Sequence, residues 1–312
     1  MRIGIGVGGE VIGEPIPPGD VVEQITQAEA DGFDAAWTIH TSRGIDALSA
    51  LSVAGSRTSR IELGVGVVPT YPRHPVALAQ QAATVQALSG GRLTLGVGVS
   101  HKPAIEGLYG IPYTKPAAHM RDYLSVLVPV LRDGSIEHDG EFFSVHGGFD
   151  VPGASPVSVV VAALSPLMTR VAGDLADGVV TWLAGPRTVE SVIQPALAES
   201  TARAPRVIAG VPLTVCDDGD AGRARASELF ARYGTLTNYQ RLFEREGVAS
   251  PGELAVVGTE EQVAEQLRRF ADAGVTELWP TVFGTGDDSA AAVQRTKRLL
   301  LELDDRGQAE TS

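Results

Sequence analysis

Two histidines stand where a proton could be moved. His40 directly follows the β-rich run "DAAWTI" (Asp34–Ile39), and His101 follows "RLTLGVGV" (Arg92–Val99) after a single serine. An imidazole titrating near pH 6.5 can give or take a proton at neutral pH, and a strand end holds it in place. The remaining four, His74, His119, His138 and His146, have no such placement. A lone histidine is most often structural, so the weight lies on the pair. Two histidines also suit a metal, but no third histidine stands at another strand end, and no metal is expected.

A second chemical feature is the helix start in "AALSPLMTR" (Ala162–Arg170). Ser165 is a good N-cap and Pro166 suits the first helical position. Unpaired N–H groups at such an end attract an anion, and Arg170 adds charge one turn later. "GIGVGG" (Gly4–Gly9) contains a formal G-x-G-x-x-G, but "EVIGEPIPPGD" follows it with three prolines and no helix start. A dinucleotide fingerprint needs a helix to begin inside the motif, so that reading is rejected. No zinc-protease, Walker or nucleophile-elbow motif occurs.

The elements that must position these residues alternate. Short β-rich runs occur at "RIGIGVG", "DAAWTI", "IELGVGVV", "RLTLGVGV", "VSVVVAA", "GVVTWL", "RVIAGVPLTVC" and "ELWPTVF". Helical patterns separate them, at residues 20–31, 45–58, 75–89, 116–132, 166–176, 188–203, within 220–273, and at 289–303. Near-continuous apolar strands imply a parallel sheet covered on both faces. Eight strands in βα alternation predict a single (β/α)8 barrel over residues 1–312, whose strand C-terminal ends carry the chemistry. A weak repeat, "AEADGFDAAW", "AGDLADGVVTW" and "FADAGVTELW", puts Gly32, Gly178 and Gly274 at expected helix C-termini, with a packing Trp in each unit. Residues 133–153 read as a hairpin excursion and residues 217–258 as a helical lid with a loop at "GVASPGELAVVG".

With 44% hydrophobic residues the chain can bury a large core. Its formal charge of −13 and lack of basic runs disfavour nucleic acid and anionic membranes. No apolar run is long enough to span a membrane, and the start reads as a strand rather than a signal peptide. Cys216 is the only cysteine, which excludes an internal disulfide and suggests a buried, inert thiol in a reduced cytoplasm. "ELDDRGQAETS" reads as a solvated tail.

Taken as one piece, "GVGVVPTYPRHPVALAQQAATVQALSGGRLTLGVGVSHKP" (Gly64–Pro103) resembles the bacterial luciferase-like flavin and deazaflavin oxidoreductases. The resemblance continues through "AAHMRDYLSVLVPVLRDG" and "HDGEFF" and returns at "VGTEEQVAEQLRRFADAGVTEL". It is strongest to the branch using coenzyme F-420, an 8-hydroxy-5-deazaflavin. It implies a ring lying in the barrel mouth against Gly66, Val67, Val68 and Thr70, approached by Gly98, Val99, Ser100 and His101. It further implies that Ala162, Ala163, Leu164 and Ser165 hold the phosphate, with Gly178 and Val179 nearby. The resemblance also implies a bulge and a non-prolyl cis peptide at the end of strand three, matched first to Gly66–Val67, with Val65–Gly66 and Val67–Val68 as the alternatives.

This chain departs from that pattern at two points. Ile39 stands before His40 where some relatives have an acidic residue, and His101 stands where others have Glu. The implied activity is hydride transfer between the deazaflavin and a small organic substrate, with His101 first and His40 second as proton carriers. An FMN-dependent monooxygenase fed by a separate reductase is the alternative, and a deazaflavin carrier without turnover is a third. Arg170, Arg187 and Lys102 are the expected local cations for an acidic cofactor tail, and Tyr109 and Tyr113 are possible substrate contacts. Homodimers are common in the family that the chain resembles.

Overall fold

Alternating strands and helices close into a ring in the computed structural model, which describes residues 1–8, 16–201 and 204–311, with side chains as far as Asp304. The first wall strand is split at Gly4 into β1 (Arg2–Ile3) and β2 (Ile5–Val7). Next come β3 (Ala35–Thr38), β4 (Glu62–Pro69) and β5 (Leu93–Gly98). A separate antiparallel pair, β6 (Ser135–Asp139) and β7 (Ser144–Gly148), precedes β8 (Ser158–Ala162), β9 (Gly178–Trp182) and β10 (Arg206–Val215). A short β11 (Val256–Gly258) and the last wall strand β12 (Glu277–Val282) complete the set. β2 pairs with β3 and β1 with β12, all in parallel, so the sheet closes through Gly4. The fold is a (β/α)8 barrel, and each of the eight β-rich runs contains a wall strand.

Along each strand alternate side chains face the helices and the barrel axis. Leu63, Val65, Leu95, Val97, Val159 and Val161 join the large outer core under the helices. Trp37, Val160, Val180, Ile208 and Trp279 form a second buried cluster along the axis. The N-terminal floor of the barrel is ionic. Arg206 donates to Glu277 at 2.5 Å and to Glu62 at 2.8 Å, and Arg2 pairs with Glu62. Burial opposes the Arg206 charge, but the two carboxylates outweigh it and raise its pKa. Trp37 Nε1 donates to Glu277 at 2.8 Å, tying the axial cluster to this floor.

Two of the three expected glycine helix ends are found. Gly32 and Gly274 have φ of 110° and 94°, and Phe33 and Val275 donate back to Ala28 and Phe270, closing the helix termini. Gly178 is different: the helix Pro166–Leu175 ends three residues earlier, and Gly178 is the first residue of β9. The last helix, Ser289–Thr311, continues through the stretch whose composition reads as a tail. Residues 9–15, part of the segment that argued against a dinucleotide fingerprint, and residues 202–203, at the end of a predicted helix, lie outside the described residues.

Two insertions interrupt the alternation. The β6–β7 pair is fastened by Asp122, which meets His138 Nε2 at 2.5 Å and accepts from the Phe143 N–H at 3.0 Å. Residues 217–258 carry the helices Gly219–Leu229 and Thr237–Glu246, joined by the turn Ala231–Thr235. Their end, expected to be loop, is β11, which pairs with β10. Among the described residues no helix is long and apolar enough to cross a membrane.

Candidate functional site

The C-terminal end of β4 does not keep strict alternation. Val65 pairs with Leu95 and Val68 with Val97, so β4 uses three steps where β5 uses two. The extra residue is a bulge. Its effect is to keep Gly66 and Val67 both on the axial side, while Val65 and Val68 face the helices. The Gly66–Val67 peptide is cis.

The glycines of the twice-used "LGVGV" have separate tasks here. A Cβ on Gly66 would sit 3.2 Å from the Trp279 indole. A Cβ on Gly96 or Gly98 would come within 2.9 or 2.6 Å of the Val67 methyls. The first copy therefore makes room for tryptophan and the second for the bulged valine. Trp279 lies 5.7 Å from Trp37 and 5.5 Å from Trp182, ring centre to ring centre. Above this stack Ile39, Val67, Ala162 and Trp182 are only partly buried, forming an accessible apolar floor in the mouth. Such a floor, with bare backbone at Gly66, fits the face of a flat heteroaromatic ring.

His40 and His101 stand on the rim of this floor and are both half-buried. His40 Nδ1 accepts the Ala47 N–H at 3.3 Å, which puts the proton of the neutral ring on Nε2. Burial, reinforced by the Arg73 charge, pushes its pKa down to about 4. His101 precedes the short helix Lys102–Gly107, which was not expected. Burial and then the Arg232 charge lower its pKa too. Its ring lies 6.1 Å from Tyr239 of the lid, and its nitrogens have no hydrogen-bond partner among the described residues.

The segment 217–258, the predicted lid, is joined to the strand ends by apolar contact. Tyr239, Leu242 and Phe243 pack with Leu183 and Ala184 after β9, and Leu164 and Trp182 lie against the same cluster. Two polar contacts latch it. The Glu246 carboxylate accepts the Thr188 N–H at 2.7 Å, and Arg187 donates to the Glu246 carbonyl at 2.9 Å. One helix end caps another.

The other residues expected at the site divide. Gly98, Val99, Ser100 and Ala162 are at the mouth with Gly66 and Val67, and Ser100 takes a positive φ of 59°. Ser165 Oγ accepts the Met168 N–H at 3.4 Å and caps the helix Pro166–Leu175, whose N-terminus opens at the mouth. Val68 and Ala163 are wholly buried in the outer core, so only their backbone can reach a ligand. Thr70 is buried, with its hydroxyl 3.1 Å from His119 Nε2. Gly178 and Val179 do not join the site. They begin β9 at the opposite end of the barrel, where Gly178 pairs with Arg206, and Val179 faces the helices.

The expected cations are engaged as well. Arg170 pairs with Glu199 at 2.9 Å, and Lys102 lies 3.9 Å from Glu106. Tyr113 Oη donates to the Ser100 carbonyl at 3.4 Å, whereas Tyr109 is exposed. Cys216 is buried, and burial raises its thiol pKa. Sequence reasoning missed Tyr233, Tyr239 and the Trp279–Gly66 contact. These meet only through long-range packing, and the one local signal was a Trp near three strand ends.

The chain is similar to known proteins over nearly its whole length. It is 29% identical to a coenzyme F-420-dependent glucose-6-phosphate dehydrogenase of Intrasporangium calvum, covering 91% of this chain and 94% of that one. The solved coenzyme F-420-dependent tetrahydromethanopterin reductase of Methanopyrus kandleri superposes with a TM-score of 0.77 at 22% identity, over 97% of this chain and 99% of the other. An FMN complex of the oxygenating component of a Pseudomonas putida diketocamphane monooxygenase gives 0.72 at 16% identity, over 97% of each chain. A luciferase-like monooxygenase profile matches residues 1–277, and the chain belongs to that family of oxidoreductases.

Proposed function

We propose that this protein transfers a hydride between coenzyme F-420 and a small organic substrate. The observation that carries the reading is the accessible apolar floor at Gly66, Val67 and Ala162, with an unengaged imidazole, His101, on its rim. The likeness to F-420-dependent enzymes over about nine-tenths of the chain supports the same cofactor. When bound, the deazaflavin supplies a carbon centre that gives or takes hydride and resists oxygen activation.

The residues then have distinct tasks. The floor orients one ring face, and the Val67 side chain keeps water from beneath it. Backbone N–H groups after Ser165 meet the phosphate. His101, held neutral at pH 7 by its lowered pKa, takes the proton of an alcohol or, once protonated, returns it to a carbonyl oxygen. His40 has its Nδ1 occupied and offers only an Nε2–H, so it donates a hydrogen bond and is not the base.

The test is oxygen dependence. Reduced F-420 is mixed with the protein and a panel of carbonyl compounds under argon and under air. Equal rates of cofactor oxidation are expected in both. A reaction that occurs only with reduced FMN and oxygen contradicts the proposal. Tight F-420 binding without turnover on any substrate would instead indicate a carrier.

A further inference from the structure

The chain leaves β9 under strain. Leu183, the residue after the strand, still donates to the Gly210 carbonyl at 2.9 Å, and there the backbone turns with a φ of 55°. A left-handed conformation is costly for leucine and persists only where the surroundings enforce it. Among the described non-glycine residues with positive φ, Leu183 alone is wholly buried. The enforcing contact is the lid, since Leu183 and Ala184 pack on Tyr239, Leu242 and Phe243. The same loop carries two orphaned groups. The Trp182 Nε1–H before Leu183 and the Thr188 hydroxyl after it are buried with no hydrogen-bond partner among the described residues. A buried polar group without a partner loses its water and gains nothing in return.

Against these costs stand the apolar contacts and one carboxylate. Glu246, 7% exposed, ends the helix Thr237–Glu246 and accepts the Thr188 N–H, while Arg187 holds its carbonyl. Gly185 leaves the space for it, because a Cβ there would fall 2.5 Å from a carboxylate oxygen. No cation pairs with the Glu246 carboxylate among the described residues, so water competes for it. The segment that could move has fixed ends. Phe230 before it is buried with Cys216, Val257 and Phe283, and β11 after it is paired to β10. Gly247, with a φ of 73°, follows the latch directly. From these opposed contributions we infer that residues 231–247 form a two-state gate over the mouth, with Glu246 as its latch. When the carboxylate is released into water, the gate lifts, Leu183 relaxes and the orphaned groups are hydrated. Trp182 belongs both to the floor and to the cluster under the gate, so the two are mechanically joined. The gate serves whatever ring lies on the floor and is independent of the cofactor's identity.

Amide hydrogen exchange of the cofactor-free chain, followed by mass spectrometry, tests this. Glu246→Gln should speed exchange in residues 183–188 and 237–247 by about 10-fold or more, while β4 and β5 stay within about 2-fold. Thr188→Val keeps the N–H and the shape but removes the orphaned hydroxyl. It should slow exchange in the same segments by about 3-fold. A merely structural contact would be weakened by both changes, whereas a latch opposed by an unsatisfied group responds with opposite signs. If Glu246→Gln does not fold, Arg187→Gln supplies the first comparison. Acrylamide quenching gives a second readout, because Trp37 and Trp279 are 0% and 2% exposed and Trp182 is half-buried beneath the gate. Glu246→Gln should raise the quenching constant, and the rise should vanish once Trp182→Phe is added. Unchanged gate exchange in Glu246→Gln, equal acceleration throughout the barrel, or unchanged or faster gate exchange in Thr188→Val overturns the inference.

Discussion

At the scale of single residues the two histidines separate by what already touches them. The sequence treats them alike, since each follows a strand. In the folded chain the Ala47 N–H fixes the His40 tautomer, whereas the His101 ring nitrogens have no hydrogen-bond partner among the described residues and the ring lies 6.1 Å from that of Tyr239. Loss of a general acid–base typically costs about 10²–10⁴-fold, so His101→Ala should reduce hydride-transfer turnover by that much. Cofactor affinity should change far less, and an unimpaired variant would make His101 a wall residue. The pH profile gives a second check. His101 titrates below its ordinary value, so the acid limb of kcat/KM for alcohol oxidation should fall below pH 6.5. A limb above pH 6.5, or one retained in His101→Gln, would assign the proton to another group.

At the scale of elements, what was legible is what local patterning controls. Each β-rich run contains a strand because its apolar residues suit a sheet covered on both faces. Ser165–Pro166 opens a helix because capping is chemistry of adjacent residues. The helix Lys102–Gly107 and the strand β11 were not legible. The first is only 6 residues long with a proline in its first turn, and the second is 3 residues that become a strand through the overhanging end of β10. Gly178 was misplaced because a helix-end glycine and a strand-start glycine look alike in sequence. The bulge also lies at this scale. A Cβ at Gly96 would fall 2.1 Å from the Val65 carbonyl oxygen, which is backbone and cannot rotate away. Gly96→Ala should therefore cost about 1–3 kcal/mol, as overpacking does, and lower Tm. An unchanged melting curve would mean that the β4–β5 spacing is slack. Ser165→Ala removes a cap and should cost about 0.5–2 kcal/mol, with only modest loss of cofactor affinity.

At the scale of the whole molecule, one buried and one half-buried imidazole lower the stability on mild acidification. His40 and His119 are both held down to about pH 4, in each case first by burial. Above pH 6.5 they are neutral in folded and unfolded chains alike. Between about pH 6.5 and 4 the unfolded chain binds protons that the folded one does not, so stability falls on acidification. Denaturant midpoints measured across that window should drop. His119→Phe should flatten the slope, by at most about 3 kcal/mol over the range. An equal slope in the variant would place the acid sensitivity elsewhere.

All three scales meet in the floor of the mouth, and its ligand can be measured directly. Titrating the purified protein with oxidised F-420 and, separately, with FMN, while following cofactor absorbance, compares the two under one condition. The account predicts saturable F-420 binding at about one per chain, at least 10-fold tighter than FMN. It also predicts loss of that binding in Gly98→Leu, whose side chain would displace Val67 and Ala162 from the floor. Tighter binding of FMN, or F-420 affinity unaffected by Gly98→Leu, would contradict it.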